Sequence, residues 1–316
     1  MVVLKHALLI ANPASRRGGT LTARAMKAIE RAGLHCELAR TERPGHAAEL
    51  AAARGTGVDV VFTLGGDGTA MEAAGALAYT DVPVAVLAGG TGNLLSRAIG
   101  VPMRVERAVP ALLGGTTRLI DLGVLRGHRF AVAAGVGIDA AMVEETPAWL
   151  KRRIGVLAYT IMATRSALRA VLRRQFFTVR ITVDGEIIER RAAAVLFANF
   201  GAILEDRLTF GPDIASDDGV LDLCIFSPRG LGDSMRIMWR VTRRDFRPDP
   251  AILYRKGTHF RIETDPVLTM QADGELLGPT PADITVEPRA VRLLIPHRAA
   301  SLPPPDAARL VSSSHA

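Results

Sequence analysis

The chain has almost no cysteine. Cys36 and Cys224 are the only two in 316 residues, far apart and outside any CxxC spacing. That excludes a disulfide framework and a thiolate zinc site, and it fits a reducing compartment with neither thiol catalytic. Aromatic residues are scarce, at 5%, and do not interleave with the arginines, so no base-stacking platform is built and no nucleic-acid partner is expected. Long apolar runs are missing too: residues 155–163 and 192–204 fall short of the roughly 20 that a membrane span needs. The N-terminal MVVLKHALLIANP has no basic stretch before its apolar run and no small-residue cleavage site after it, so it reads as a first strand of a chain expected in the cytoplasm. G-x-x-x-x-G-K-[ST], G-x-S-x-G and H-E-x-x-H are absent and the seven histidines are scattered, which excludes Walker-type nucleotide hydrolysis, a serine-hydrolase elbow and a zinc protease.

Negative charge is short as well. The net charge is +7, and it is uneven: residues 151–191 carry ten Lys/Arg against three Asp/Glu, and residues 229–261 carry nine against three. A basic second half suits an anionic surface or plain solubility.

What is present is a rhythm. Apolar runs at 6–11, 35–40, 58–64 and 84–88 alternate with helical patterns at 20–32, 46–54, 69–79 and 93–99, joined by short Gly/Pro/Asn connections. This predicts a doubly wound α/β domain with a parallel sheet. Beyond Asp121 the character changes to β-rich runs at 130–134, 176–183, 187–199, 219–226, 259–272 and 284–296, which predict an antiparallel β domain with one helix inserted at about 147–174. The Pro/Ser-rich last residues are expected to fray. No internal repeat is visible.

Three glycine-rich loops follow strands of the first half and so fall at one sheet edge, where open α/β sheets bind ligands. In TLGGDGT, Gly65, Gly66 and Gly68 let backbone approach a ligand, and Thr69 opens a helix whose N-terminal amides favour an anion. Asp67 is out of place beside a phosphate unless a divalent cation lies between them or it accepts from a hydroxyl or amide, which suggests a nucleotide with magnesium. In ANPASRRGG, Asn12 can bond a ribose or base, and Ser15 and Arg16 can reach phosphate; in LAGGTGNLL, Gly90, Thr91 and the glycines around them precede Asn93 at a helix N-cap. GVGIDA at 135–140 satisfies G-x-G-x-x-A but lacks the acidic residue about 20 positions on that a dinucleotide site requires, and reads as structural.

Taken in order, NPASRRG, GGDGT, GGTGN, AAGVGIDA, PDIASDDGVLDL and MQADGELL span nearly the whole chain. Together they resemble the diacylglycerol kinase catalytic-domain family, which includes soluble bacterial lipid kinases and sphingosine and ceramide kinases, and is distantly related to NAD kinases and phosphofructokinases. GGDGT alone is shared with NAD kinases; its combination with GTGN and a C-terminal DGE points to the lipid kinases. The resemblance implies transfer of the γ-phosphate of ATP, with Mg2+, to a lipid hydroxyl, in a cleft between an α/β domain (1–121, with about 292–310 returning to it) and a β-sandwich lipid-binding domain (122–291). It implies ATP contacts at Asn12, Pro13, Ala14, Ser15, Arg16, Thr41, the turn from Gly65 through Glu72, Gly90, Thr91 and Asn93. It implies Asp273 and Glu275 as active carboxylates, one taking the hydroxyl proton, with Asp67 in the magnesium network. It implies a structural magnesium held by Asp218 and the carbonyls of Ala215 and Val220.

One departure stands out. Many bacterial members carry aspartate after the Asn of GTxN, and here that position is Leu94. From spacing alone, DGE at 273–275 and the same tripeptide at 184–186 are equivalent; only the resemblance selects the later one. Residues 147–174 set apolar Leu157, Ile161, Leu168 and Leu172 beside Arg165, Arg169 and Arg173, an amphipathic basic helix suited either to an anionic membrane or to packing on the β domain. The expected partner is a lipid presented at such a surface, by a peripherally associated protein. The residues leave open a homodimer or monomer, a kinase of soluble substrates of the NAD-kinase type, and a nucleotide-binding regulator without turnover.

Overall fold

A computed structural model describes residues 4–14, 18–137, 176–203, 208–209 and 211–297. Ser15, Arg16, the segment 147–174 and the chain beyond residue 297 lie outside the described residues.

Strands His6–Ala11 (β1), His35–Arg40 (β2), Val60–Gly65 (β3) and Val84–Ala88 (β4) are parallel in the order β2-β1-β3-β4. From Ala7 on, β1 is buried throughout, as are β3 and β4, which is what a parallel sheet covered on both faces demands; β2, at the edge, is mostly exposed or half-buried. Helices Gly18–Arg31 (α1), His46–Arg54 (α2), Asp67–Ala76 (α3), Leu94–Ala98 (α4) and Val105–Leu113 (α5) supply the connections.

Then follow Thr116–Leu125 (β5), His128–Phe130 (β6), Ala133–Gly137 (β7), Phe177–Val183 (β8), Glu186–Ala192 (β9), Ala194–Ala198 (β10), Ala202–Ile203 (β11), Leu208–Thr209 (β12) and Leu221–Phe226 (β13). After helix Leu231–Arg243 (α6) come Ile252–Gly257 (β14), His259–Asp265 (β15), Thr269–Ala272 (β16), Glu275–Pro279 (β17) and Ala282–Ile295 (β18). The architecture is the expected α/β half followed by an antiparallel β half.

The halves share a sheet, which no local pattern announces. The long β18 pairs antiparallel with β15 and β5 and, at Leu293 opposite Val84, parallel with β4, so the parallel strands continue into β18-β15-β8-β9. A second sheet, β14-β13-β10-β7-β16-β17, packs against that antiparallel part. Val179, Ile181, Leu223 and Ile262 fill the space between them, with Phe197 and Phe260 edge to face at 5.1 Å.

Two runs expected to be single strands are divided between the sheets. Residues 187–199 break at Ala193 into β9, where buried and exposed positions mix, and β10, buried at every position. Residues 259–272 break into β15 and β16. A mixed pattern marks an edge strand and a continuous apolar one a central strand, so the change of pattern at Ala192–Ala194 is the signal that a single apolar run conceals. The second half also carries α6, a helix absent from the sequence expectation. Among the described residues no helix is long and apolar enough to cross a membrane.

Candidate active site

The carboxyl ends of β1, β3 and β4 bring the three glycine-rich loops into contact. Asn12 N–H donates to Leu64 O (2.9 Å) and Asn12 Nδ2 to Thr69 Oγ1 (3.3 Å), while Asn12 Oδ1 accepts from Ala14 N–H (2.9 Å) and shapes the turn at Pro13. Thr41, buried, is tied to the end of β1 by its N–H to Ala11 O (3.0 Å). Gly89 N–H donates to Gly65 O (2.9 Å), which fastens the third loop, with Thr91, onto the second. The contact is closest at Gly90, where a Cβ would lie 2.5 Å from Gly66 Cα. Gly90→Ala should force the loops apart and, since both are backbone, raise KM for the nucleotide at least about tenfold, as a misplacement of about 1 Å at a positioned site can cost more than that; a KM within error of wild type would contradict the contact.

Asn93 ends that loop but does not cap α4 with its side chain. Its Oδ1 accepts from Gly90 N–H and its Nδ2 donates to Gly90 O, both at 2.9 Å, which fixes the glycine turn and leaves the first amides of α4 open. Asp67 takes them: its Oδ1 accepts from Leu95 N–H (3.1 Å), and the Leu94 and Asn93 amides also point at it. Those amides do not offset the cost of taking the charge out of water. Burial first, then the neighbouring Asp273 charge, push the Asp67 carboxyl up to about 7. Glu72, one turn further along α3, serves α2 in the same way, accepting from Gly45 N–H (2.8 Å) and Ala47 N–H (3.1 Å).

The β16–β17 hairpin carries Asp273-Gly274-Glu275 to this edge. Both turn residues have positive φ, 46° and 89°, so the turn presents the Asp273 side chain inward. Asp273 Oδ2 accepts from Ala131 N–H (2.7 Å), and Oδ1 from Val132 (2.9 Å) and Ala133 (3.0 Å). Of about four lone-pair directions on a carboxylate, three are filled and one on Oδ2 remains. Burial raises this carboxyl above the usual range, against the pull of the three amides. Glu275 sits over Gly68, where a Cβ would meet its Oε1 at 2.6 Å, and its Oε2 is 3.7 Å from His128 Nε2. The GGDG turn and the DGE turn, more than two hundred residues apart in sequence, thus form one acidic site with Asp67, Asp273 and Glu275.

Asp184-Gly185-Glu186 has the same backbone, with φ of 46° and 97°, and Asp184 likewise accepts from backbone, at Thr258 and His259. What differs is place. Asp184 is exposed, with no second carboxylate acting on it among the described residues, and although its slight burial works the other way, the Thr258 and His259 amides and the Thr258 hydroxyl hold it below the usual range.

Several participants escaped the sequence reading. Asn199, fully buried, donates through Nδ2 to Asp121 O and Ala131 O, both at 2.7 Å, and so holds the turn whose amides grip Asp273. Asp121 in turn accepts from Gly219 N–H (2.7 Å) and Arg289 N–H (2.6 Å). Neither stands in a local motif; their partners come from distant strands. The thiols stay outside the chemistry: burial raises both, Cys36 to about 11.

The loop expected to hold a structural magnesium presents a different arrangement. Lys256 Nζ lies 2.9 Å from Asp218 Oδ2, 3.1 Å from Asp213 O and 3.6 Å from Asp222 Oδ2. An ammonium group therefore sits against the Asp218 carboxylate of this loop. Among the described residues no three His, Cys, Asp or Glu side chains converge as a metal-binding group.

Comparison with known proteins agrees with this architecture. Residues 6–125 match the diacylglycerol kinase catalytic domain, and residues 131–295 match the YegS C-terminal NAD kinase beta sandwich-like domain. The diacylglycerol kinase of Bacillus subtilis is 28% identical over 93% of this chain and 97% of its own, and that of Staphylococcus aureus 27% identical over 93% of each. A longer protein of Synechocystis is 26% identical over 77% of this chain, which spans 56% of that protein's length. The structure of a diacylglycerol kinase from Bacillus anthracis superposes with a TM-score of 0.71 at 22% identity, over 93% of this chain and 98% of that one, a likeness of fold.

Proposed function

Because the chain belongs to the diacylglycerol kinase catalytic-domain family with a YegS-type C-terminal domain, we propose that it transfers the γ-phosphate of Mg-ATP to the hydroxyl of a lipid, diacylglycerol or a close relative. The observation that carries this reading is the meeting of the GGDG turn with the DGE turn, three carboxylates on a glycine-rich anion cradle. The resident side chains fit magnesium: half-buried Asp67 lies close enough to buried Asp273 to feel its charge, and Glu275 reaches over Gly68 of the same turn. Asp67 and Glu275 would hold the ion, directly or through water, with nucleotide phosphates completing the set. When bound, it neutralises charge on the transferring phosphoryl group.

The chain's own part is positioning and one proton. Backbone amides at the start of α3 receive phosphate oxygens, with Asn12 and Thr41 beside them; the Gly89 and Gly90 amides, bonded to Gly65 O and Asn93 Oδ1, hold the neighbouring loop against that helix start. Asp273 takes the proton of the attacking hydroxyl at its remaining Oδ2 lone pair, and the grip of Ala131–Ala133 keeps that oxygen aimed. The test is transfer of label from γ-labelled ATP to a total lipid extract with magnesium, NAD being run as a parallel acceptor. A labelled lipid that disappears in Asp273→Asn supports the reading and reveals the substrate by its mobility. Label on NAD alone would move the protein to the soluble-substrate kinases. ATP binding without transfer to either would leave a nucleotide-responsive regulator.

A further inference from the structure

Helix α6 buries one face and leaves another uncovered. Ile237 is packed inward at 9% exposure, while Leu231, Met235 and Trp239, spaced i, i+4, i+8 on the opposite face, are 44%, 66% and 61% exposed. Single exposed apolar side chains need no explanation; three large ones in line on one helix do. Arg243 continues the line, with its guanidinium 4.4 Å from the Trp239 ring centroid.

The net charge around the stripe is positive. Residues 229–249 hold six arginines and three aspartates, a local net charge of +3 by subtraction. The carboxylates sit with Arg236, Arg240 and Arg247, paired to Asp233, Asp245 and Asp249. Arg229 and Arg243 pair with no carboxylate among the described residues. Immediately before α6, Arg229, Arg190, Arg191 and Phe176 line an open cavity of about 360 Å³ with no acidic residue in its wall among the described residues. In that wall the Ser227 hydroxyl oxygen, itself buried, has no hydrogen-bond partner among the described residues. An arginine-walled cavity with a spare hydroxyl suits a phosphate oxygen.

We propose that α6 is the membrane-docking element of this protein: Leu231, Met235 and Trp239 enter the headgroup–acyl boundary of an anionic bilayer, with Arg243 and the Arg190–Arg191–Arg229 cavity facing lipid phosphates. The inference rests on the lipid-kinase reading for its purpose and on α6 alone for its surface. Apolar side chains on one face of a helix, flanked by cations, bind at such an interface by burying that face and by attraction to anionic lipid. A second copy of the chain would need matching acidic groups, and the stripe is bordered by arginine.

The test uses the full chain with vesicles of phosphatidylcholine, alone or with phosphatidylglycerol, read by cosedimentation. Wild type is expected to sediment with the mixed vesicles, less so as salt rises, and not with phosphatidylcholine alone. Met235→Ser/Trp239→Ser should weaken that binding about tenfold or more and keep its far-UV spectrum and its transfer to a short-chain, water-soluble diacylglycerol. In a Trp149→Phe background, Trp239 emission should shift to the blue on adding the anionic vesicles. Unchanged sedimentation of the double variant overturns the proposal, as does a wild type that ignores anionic vesicles. A dimer by light scattering that the double variant breaks, with no vesicle binding, assigns the stripe to self-association instead. Loss of lipid phosphorylation on every acceptor, with vesicle binding and its α6 dependence intact, removes the kinase reading and leaves the docking surface standing.

Discussion

Asp273→Asn is expected to lower phosphoryl transfer by about 10²–10⁴-fold, the usual contribution of a positioned general base, and to lower the melting temperature by several degrees. The second effect follows from counting donors. Ala131, Val132 and Ala133 direct three N–H groups at two oxygens. An asparagine keeps one acceptor oxygen and turns an NH2 toward the remaining amide, so one buried N–H loses its partner at a cost of about 1–3 kcal/mol. A protonated aspartic acid suffers no such loss, because its hydroxyl hydrogen can use the free lone-pair direction while Oδ2 still accepts. The wild-type carboxyl is raised above its ordinary value by burial, so its ionisation costs stability as pH rises, and the deficit of the variant should shrink as pH is raised. Asp184→Asn supplies the contrast: the same tripeptide and the same turn, no effect on transfer. Glu275→Gln separates the roles further, lowering transfer without moving the melting temperature, since its carboxylate is half exposed. Equal transfer by Asp273→Asn and wild type would remove Asp273 from the chemistry, and an unchanged melting curve would contradict the amide grip.

That contrast shows where sequence information ends. The three glycine loops were legible because each needs only its own strand, turn and helix start: β1, β2 and α2 coincide with their apolar patterns, and β4 ends where GGTGN begins. The acidic site was not legible in this sense. Nothing in the residues around Asp184 and Asp273 separates them, because what differs is which strand lies opposite, and that is decided by β16 pairing with β7 across more than a hundred residues. Asn199 and Asp121 were invisible for the same reason. At Leu94, where the resemblance leads one to look for an aspartate, the backbone amide, with those of Asn93 and Leu95, faces Asp67, a contact that side-chain identity does not announce. Helix α6 went unseen because its exposed apolar residues do not make the single buried stripe by which a core-facing helix is recognised.

Asp67→Asn should abolish transfer and at the same time stabilise the protein at alkaline pH. The wild-type carboxyl, ordinarily near 3.8, is pushed to about 7 by burial and by Asp273. The folded state therefore holds a proton that the unfolded chain has released across that interval. Stability contributed by this group is complete below about pH 4 and declines as pH rises toward 7, a loss of about 2–4 kcal/mol once folded-state relaxation is allowed for. Asparagine keeps an oxygen for the Leu95 amide and never ionises. Its melting temperature, measured with EDTA and without nucleotide, should match wild type near pH 4 and exceed it by several degrees at pH 8. Wild-type transfer should rise as pH passes through about 7, when the carboxylate forms, and added magnesium should move that rise to lower pH, because a bound cation favours the charged form. The gain in stability and the loss of activity have one origin: an ionised Asp67 is a liability of the empty fold, held in place for a cation and its phosphates. A melting curve for Asp67→Asn parallel to wild type across the whole range would show that the site carries no such tension, and that the proximity of Asp67 and Asp273 has no part in binding the metal.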